Sequence, residues 1–575
     1  MATRHWLLVA AVASGTAARV VFWMMTDRRF EDGLITVTHA QSLFEGIGLT
    51  HHAGEPRVQH GFTSALSVLV PLVGEAVRRG AGLNAVRLAS IGAFAVASLY
   101  AYLLARGLGL GRAPTALVLF YLAFDFNQIF YGMAGMETQI AVAILLGAIH
   151  HVGRGDRKAS GVLLGLCILV RPDFVIFVVP ALGFLAWRHR DRLLPAVAIA
   201  AACAFPWVAF ATLYYGSPVP ATIDAKANRY VALPELAAGP GAWLSFAVER
   251  VEEQTGFWRI AAPFKENGFV NRAPVADIVL ANIAVAVFVL ALCGAWSLRR
   301  RPDCWPAIAF CLLFVVYKVL LLPAVYYEWY LPPFMAVVIL LAATALQRFA
   351  SFAQRGAPAV AIGLTAAYAV HLPFTFPIER RIQLGIEDRV RREVGSWLAA
   401  NVEPGESVTS ESAGYVGYYG RVKLFDYPGL TSPTVLDALG ERPDRRTLEG
   451  VVELLRPDWV VLRPFELDTL QATFPDTAAR YVEVRRFGVE EADTPLVRWK
   501  VEYGNIDRQF VVLRRDAARR AGARSSAGPH PAQLGGGGRR DGQSDRPRPG
   551  DPQPLGRPGT EREGARGAGD AGAAP

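Results

Sequence analysis

Cysteine is scarce in this chain and badly placed for disulfide or metal work. The five in 575 residues are Cys167, Cys203, Cys293, Cys304 and Cys311, all in or beside apolar runs. None has metal-finger spacing, so a disulfide scaffold and a cysteine zinc site are both excluded, and the thiols serve as small hydrophobes at helix interfaces. A glycine-rich phosphate loop following a strand is also missing, which excludes a P-loop or dinucleotide fold. Charge is thin, with 19% of residues Asp, Glu, Lys or Arg. The surplus of +9 lies in short loops between apolar runs and in the C-terminal tail, a distribution that argues for membrane topology and against a nucleic-acid face. No small-residue cleavage pattern follows the first apolar run, 6–25, so it reads as a retained helix rather than a signal peptide. No strong internal repeat is visible.

What the sequence does have is hydrophobic length: 52% of it is apolar. Runs long enough to span a bilayer, or nearly so, fall near 6–25, 85–105, 113–131, 138–152, 159–171, 173–187, 193–215, 276–297, 304–323, 330–347 and 357–375. The segment 63–77 holds Pro71, Gly74 and Glu75 and is short. Leaving it out of the count puts Arg106/Arg112, Arg154/Arg157/Lys158, Arg188/Arg190/Arg192, Arg299/Arg300/Arg301 and Arg348/Arg355 on one side, as the positive-inside rule prefers. The expectation is therefore a polytopic helical protein of the cell membrane with about eleven spans. Its N-terminus is cytoplasmic, residues after 375 are extracytoplasmic, and 63–77 is an amphipathic element in the outer interface.

Past residue 386 the pattern changes. Residues 387–401 carry Val390, Val394, Trp397 and Leu398 on one helical face. Short β-rich runs follow at 407–410, 422–426, 459–462, 481–484 and 510–513, with helical stretches near 434–439 and 446–455. The domain reading is a transmembrane region 1–380 with long outer loops at 26–84 and 216–275, an extracytoplasmic α/β domain 386–515, and a tail 516–575. The tail is rich in Gly, Pro, Arg and Ala and too poor in apolar side chains to fold.

Glu31-Asp32 follows the first span. Two solvated carboxylates capping a helix end would explain the pair alone. The apolar-patterned segment behind it (Leu34, Ile35, Val37, His39, Leu43, Phe44) should lie along the membrane surface, and with the glycines of the loop it points further. Adjacent carboxylates suit a general base, since a like-charged or apolar neighbourhood raises one pKa toward working pH. The expected topology sets this loop on the same face as Gly132–Gln139, Arg171-Pro172-Asp173, the 216–275 loop and Tyr326–Tyr330.

Glu31-Asp32 with Gly48-Leu49, Gly54-Glu55-Pro56 and Gly61-Phe62-Thr63-Ser64 resembles the first external loop of the GT-C glycosyltransferases, within them the branch of the actinobacterial arabinofuranosyltransferases. Gly135-Met136-Glu137-Thr138, Arg171-Pro172-Asp173, Tyr215–Thr222 with Lys226, Glu328–Pro332, Ala413–Tyr419 and Phe425–Leu430 recur in the same order as in that branch. Ala221 departs from it, standing where relatives often carry Asn. The resemblance implies inverting transfer of a sugar from a polyprenyl-phosphate donor to a glycan or glycolipid acceptor at the bilayer surface. Asp32 is then the catalytic base and Glu31 its helper. Such a donor needs cations for its phosphate. Arg171 is the first candidate, equally explained as an arginine snorkelling to the interface, and Lys226 and Arg229 follow. Glu137 and Glu328 would bind sugar or acceptor hydroxyls, with Trp329 and Tyr330 as stacking rings that an interfacial aromatic belt would also supply. His39 and His60 are acceptor contacts or plain loop residues. The sequence assigns no cofactor; the resemblance allows a divalent cation beside the loop carboxylates, with its ligands unassigned. A flippase or transporter of lipid-linked sugars is the alternative, with a polymer-binding scaffold behind it. A transporter is expected to show repeats and polar residues at mid-bilayer depth, whereas here the polar groups gather on one face; the scaffold leaves those loops unexplained. A reporter fused after residue 110 is expected to read cytoplasmic, and an external reading would make 63–77 a true span.

Overall fold

A computed structural model describes residues 5–227, 239–243, 245, 274–320, 328–349, 356–370, 372–490 and 506–516. The first part of the chain is helical: α1 His5–Thr26, α2 Glu31–Phe44, α3 Ala65–Val77, α4 Gly82–Gly107, α5 Arg112–Phe124, α6 Phe126–Met133, α7 Thr138–Arg154, α8 Arg157–Val170, α9 Val175–Arg188, α10 Arg190–Tyr215 and α11 Ala221–Ala227. Helices Pro274–Leu298, Trp305–Leu320, Leu331–Phe349 and Gly356–Val370 follow. Where it is described, each expected apolar run is helical, the one at 113–131 as two helices. Among the described residues, six helical stretches are long and apolar enough to cross a membrane, α1, α4, α10 and Leu331–Phe349 among them. Others are shorter, such as α8 and α9 at 14 residues each.

The run expected as one helix at 113–131 breaks at Asp125, whose side chain accepts the Gln128 N–H at 3.0 Å and so caps α6 instead of continuing α5. The break leaves the last carbonyls of α5 without helical partners. Arg19 of α1, fully buried, supplies them: Nη2 donates to Leu122 O at 3.0 Å and Nη1 to Ala123 O at 3.2 Å. Nη2 also donates to Gln139 Oε1 at 2.8 Å, and the guanidinium lies 3.8 Å above the Phe94 ring. Asp125, Asn127 and Lys318 are the exceptions that stand out in the otherwise apolar runs of the sequence; Arg19, inside the first run, finds partners in backbone carbonyls of another helix. The Lys318 side chain lies outside the described residues.

The 13 residues of α3 rise about 20 Å, less than the roughly 30 Å of a hydrocarbon core. Leu69, Val73 and Val77 form its exposed apolar stripe, while Glu75 is buried and accepts the N–H groups of Gly80 and Gly82 at 2.7 and 2.9 Å. Glu75 is thus a loop anchor at the start of α4.

Five strands form one sheet, β1 Ser407–Ser410, β2 Lys423–Asp426, β3 Trp459–Leu462, β4 Tyr481–Gly488 and β5 Gln509–Arg515, in the order β2-β1-β3-β5-β4. β2, β1 and β3 are parallel; β5 pairs antiparallel with both β3 and β4. Crossover helices make the parallel part doubly wound, with the order reversing between β1 and β3. One sheet face packs Val408, Leu424, Trp459, Val461 and Val512 against Val390, Val394 and Leu398. These last three come from a stretch that runs as Leu372–Ile382, a π-helical Gln383–Arg391 and Arg392–Asn401.

Helix α2 belongs to this packing. Expected to lie on the membrane surface, it is instead buried from Gly33 to Ala40, with Ile35 in the same apolar cluster as the sheet. Its start is held by buried ion pairs. Arg28 bonds Glu379 at 2.9 Å and Glu387 at 2.8 Å; Arg391 bonds Glu387 at 3.0 Å and also Glu31. Asp507 sits 3.7 Å from Arg391 and 2.7 Å from Arg463. Buried pairs of this kind are costly to break from one side, because the partners stay behind desolvated. Arg391→Met is expected to destabilise the fold by about 3 kcal/mol, read as a lowered unfolding midpoint in detergent. An unchanged midpoint would remove the network from the list of what holds α2.

Candidate functional site

The loop that starts α2 is aimed by aromatic packing and by glycine. The Phe30 N–H bonds Ala134 O at 2.9 Å, and its ring stands edge-on to Trp329, Tyr131 and Phe130 at 5.4 to 5.9 Å. Gly33 touches the turn before α7: a Cβ there would meet Gly135 O at 2.9 Å. Glu31 and Asp32 occupy the first turn of α2, where the positive end of the helix dipole favours carboxylates.

The two carboxylates diverge. Glu31 accepts hydrogen bonds from Arg391 and from the backbone N–H groups of Gly414 and Tyr415, the latter at 3.3 Å. The two backbone donors belong to the first turn of the helix Ala413–Gly420, which follows β1 at the crevice where the strand order reverses. Gly414 is required there, since a Cβ would lie 2.2 Å from Glu31 O. Burial pushes the Glu31 carboxyl up to about 7, against the pull of Arg391. Asp32 turns the other way and lines a half-open cavity with about 570 Å³ of empty space.

That cavity gathers most of the polar groups expected from sequence. Asp32 and Glu137 share it with Arg171, Lys226, Trp329 and Tyr330. Burial raises the Glu137 carboxyl, Arg171 lowers it, and the nearby Asp32 and Asp173 add to the rise. Arg171 caps the end of α8; its Nε donates to Asp173 Oδ1 at 3.0 Å and its Nη1 to Trp329 O at 3.1 Å, with the guanidinium 4.0 Å over the Tyr330 ring. Burial works against its charge, and Asp173, Tyr330 and Glu137 more than offset that. Nη2 makes no hydrogen bond among the described residues, so one edge of a fixed cation is left for the cavity.

Three groups were not foreseen. Asp173 orients Arg171. Thr63 and Thr222, bonded at 2.9 Å, tie the first loop to α11 at the cavity wall. Leu430 reaches the cavity from the loop after β2. Asp426 holds that loop by accepting from Leu430 N at 2.6 Å, Thr431 N at 2.8 Å and Thr431 Oγ1 at 2.7 Å. The Arg-Pro-Asp and Phe-Asp-Tyr-Pro-Gly-Leu strings were the available signals for Asp173 and Leu430; nothing in sequence pairs Thr63 with Thr222.

Other expected residues stand elsewhere. Glu31 does not line the cavity. Arg229 and the Glu328 side chain lie outside the described residues. His39 and His60 are behind the cavity wall, where a Cβ on the lining residue Gly61 would meet His39 Nε2 at 2.8 Å. His60 stacks on Tyr215 at 4.6 Å, and His39 stands 5.5 Å from His51, which is 5.5 Å from His52. Among the described residues no three His, Cys, Asp or Glu converge as metal ligands. Glu55, from the Gly-Glu-Pro string, accepts from Ser432 Oγ at 2.5 Å and from Thr434, so that string fastens the loop to the sheet region.

A family model described as "Domain of unknown function (DUF8728)" matches residues 380–510. No curated protein sequence matches the chain. Among solved structures it is similar to ArnT from Cupriavidus metallidurans bound to undecaprenyl phosphate, at 14% identity and TM-score 0.51, covering 91% of this chain and 99% of that one. The apo form of the same protein gives 15%, 0.50, 92% and 100%. The Archaeoglobus fulgidus oligosaccharyltransferase tethered with an acceptor peptide gives 13%, 0.50, 84% and 72%. The chain thus has a fold similar to that of ArnT over 91% of its length.

The histidine cluster makes stability pH-dependent. Burial lowers His39 to about 4 and His52 and His60 to about 3, from 6.5. Unfolding lets them take protons near 6.5, so their contribution is intact above that pH and is lost as pH falls toward 4 and then 3. At pH 5 the loss is about 2 kcal/mol per histidine. The unfolding midpoint should fall between pH 7 and 5, and His60→Phe should make that slope shallower. A slope identical to that of the parent protein would show that His60 protonates as freely in the fold as out of it.

Proposed function

We propose that this chain is an inverting glycosyltransferase of the membrane surface. It moves a sugar from a polyprenyl-phosphate donor to a glycan or glycolipid acceptor of the cell envelope. The observation that carries this reading is that one cavity is lined by a carboxylate, Asp32, and a fixed cation, Arg171, together with Lys226, Glu137 and two aromatic side chains. The similarity to ArnT bound to undecaprenyl phosphate supports it at the level of fold. Arabinofuranose is the sugar favoured by the order of loop motifs.

The chemistry follows from the groups. The acceptor hydroxyl oxygen attacks the anomeric carbon as its proton passes to the Asp32 carboxylate. The bond from that carbon to the phosphate oxygen breaks, and the electron pair leaves with the polyprenyl phosphate. Arg171 and Lys226, with Arg229 as a further candidate, offset the charge that develops there. Arg171 is suited to the task because Asp173 and the Trp329 carbonyl fix its plane beforehand, leaving little reorganisation for the reaction to drive. Glu137, partly buried and raised in pKa, is placed to hydrogen-bond sugar hydroxyls, with Trp329 and Tyr330 as the stacking surface. Glu328 joins them in this reading. Attack and departure on opposite faces of the sugar invert the anomeric centre.

With a synthetic polyprenyl-phosphate sugar and purified protein, Asp32→Asn should lower turnover roughly 10²–10⁴-fold while the unfolding midpoint holds. Arg171→Gln should weaken turnover about 10–100-fold. Full activity in the first variant would overturn the base assignment; a normal rate in the second would free the phosphate from Arg171.

A further inference from the structure

A second concavity lies far from the reaction cavity. Helix Leu331–Phe349 begins at the residues that follow Trp329 and Tyr330 of the cavity and ends at Ala345, Arg348 and Phe349, which line this groove. Its 19 residues rise about 28 Å, close to one bilayer thickness. The groove therefore sits at the opposite end of the bundle, where sequence topology places the basic loops. It runs between the ends of helices Pro274–Leu298, Trp305–Leu320 and Leu331–Phe349, and encloses about 1600 Å³ of space, much of it open to the surroundings.

Its lining divides by chemistry. Leu292, Leu312, Ile308 and Phe349 give an apolar wall, and Leu292 and Leu312 are more than half exposed. Two tryptophans frame the mouth. Trp305 stacks on Trp187 at 4.9 Å and its indole N–H donates to Arg299 O at 2.8 Å. Trp296 is 69% exposed and carries the Arg299 guanidinium 4.1 Å above its ring. Among the described residues, the charged ones that line the groove are Arg299 and Arg348. The nearest acidic group in sequence, Asp303, is paired with Arg301 at 2.6 Å. Arg299 Nη1 is tied to Trp296 O at 2.8 Å and Arg348 Nη2 to Ser297 O at 3.2 Å, so both cations are held at the rim rather than extended away from it.

We infer that this groove is a binding site for an anionic glycerophospholipid of the leaflet opposite the reaction cavity. Acyl chain lies along Leu292, Ile308 and Leu312, and the phosphodiester meets Arg299 and Arg348. Charge complementarity selects this occupant. Two guanidiniums as the charged groups of the described lining favour a net-negative headgroup over a zwitterionic one, and tryptophans at the mouth match the depth of a headgroup region. A basic pocket between helices on the side rich in arginine is where an anionic headgroup gains most.

The test is native mass spectrometry of the full chain in detergent, titrated separately with phosphatidylglycerol and phosphatidylcholine of the same acyl chains. Phosphatidylglycerol should bind at roughly tenfold lower concentration. R299Q with R348Q should abolish that preference, and Leu312→Trp, which fills the groove and keeps both charges, should weaken both lipids. Unfolding midpoints measured without added lipid check that each variant folds. Equal binding of the two lipids by the parent protein, or a preference that survives in R299Q/R348Q, would overturn the assignment.

Discussion

The contact on which the rest of this structure depends is the Glu31 carboxylate seated between Arg391 and the first turn of the helix Ala413–Gly420. In doubly wound sheets the crevice at the strand-order reversal, beside a helix N-terminus, is where anions bind. Here the chain fills that place with its own side chain. Ser412, Gly414 and Tyr415 come from one wall, Arg391 from the π-helical stretch, and Asp507 and Arg463 stand behind them. An intramolecular carboxylate in an anion site is a clamp, and it joins the loop after α1 to the α/β region.

The clamp has a geometric consequence for the neighbouring residue. Successive helical side chains point about 100° apart. With Glu31 committed to the sheet crevice, Asp32 is left to line the cavity it shares with Arg171 and Glu137. In the proposed mechanism, Glu31 therefore acts by position while Asp32 handles the proton. The same logic runs through the loop. Gly33 closes on Gly135, Glu55 fastens to Ser432, and Tyr214 and Tyr215 hold both backbone groups of Leu49, at 2.8 and 2.7 Å. Most of the loop's unusual residues are spent on fixing one carboxylate.

The helices and strands were largely legible because their signals are local. Apolar runs of the right length gave the bundle, and short β-branched runs gave all five strands. The break at Asp125 was missed because a lone Asp in an apolar run looks the same whether it caps or not; only Arg19, more than a hundred residues away, shows which. The cavity was legible in part: loop strings named Asp32, Glu137, Arg171, Lys226, Trp329 and Tyr330. His39 and His60 were drawn in by proximity in sequence, yet a histidine beside a glycine can as well be packed behind a wall as exposed on it. Thr63–Thr222 and Leu430 depend on contacts between distant segments, which no single-sequence pattern records.

The central claim is that one cavity drives displacement of a phosphate at an anomeric carbon by an acceptor hydroxyl from the opposite side. The most direct test is the anomeric configuration of the product, read by NMR after reaction of the purified protein with a polyprenyl-phosphate sugar of known configuration. Inversion is the predicted result. Retention would require a covalent or double-displacement route for which the Asp32–Arg171 arrangement was not proposed, and it would contradict this account.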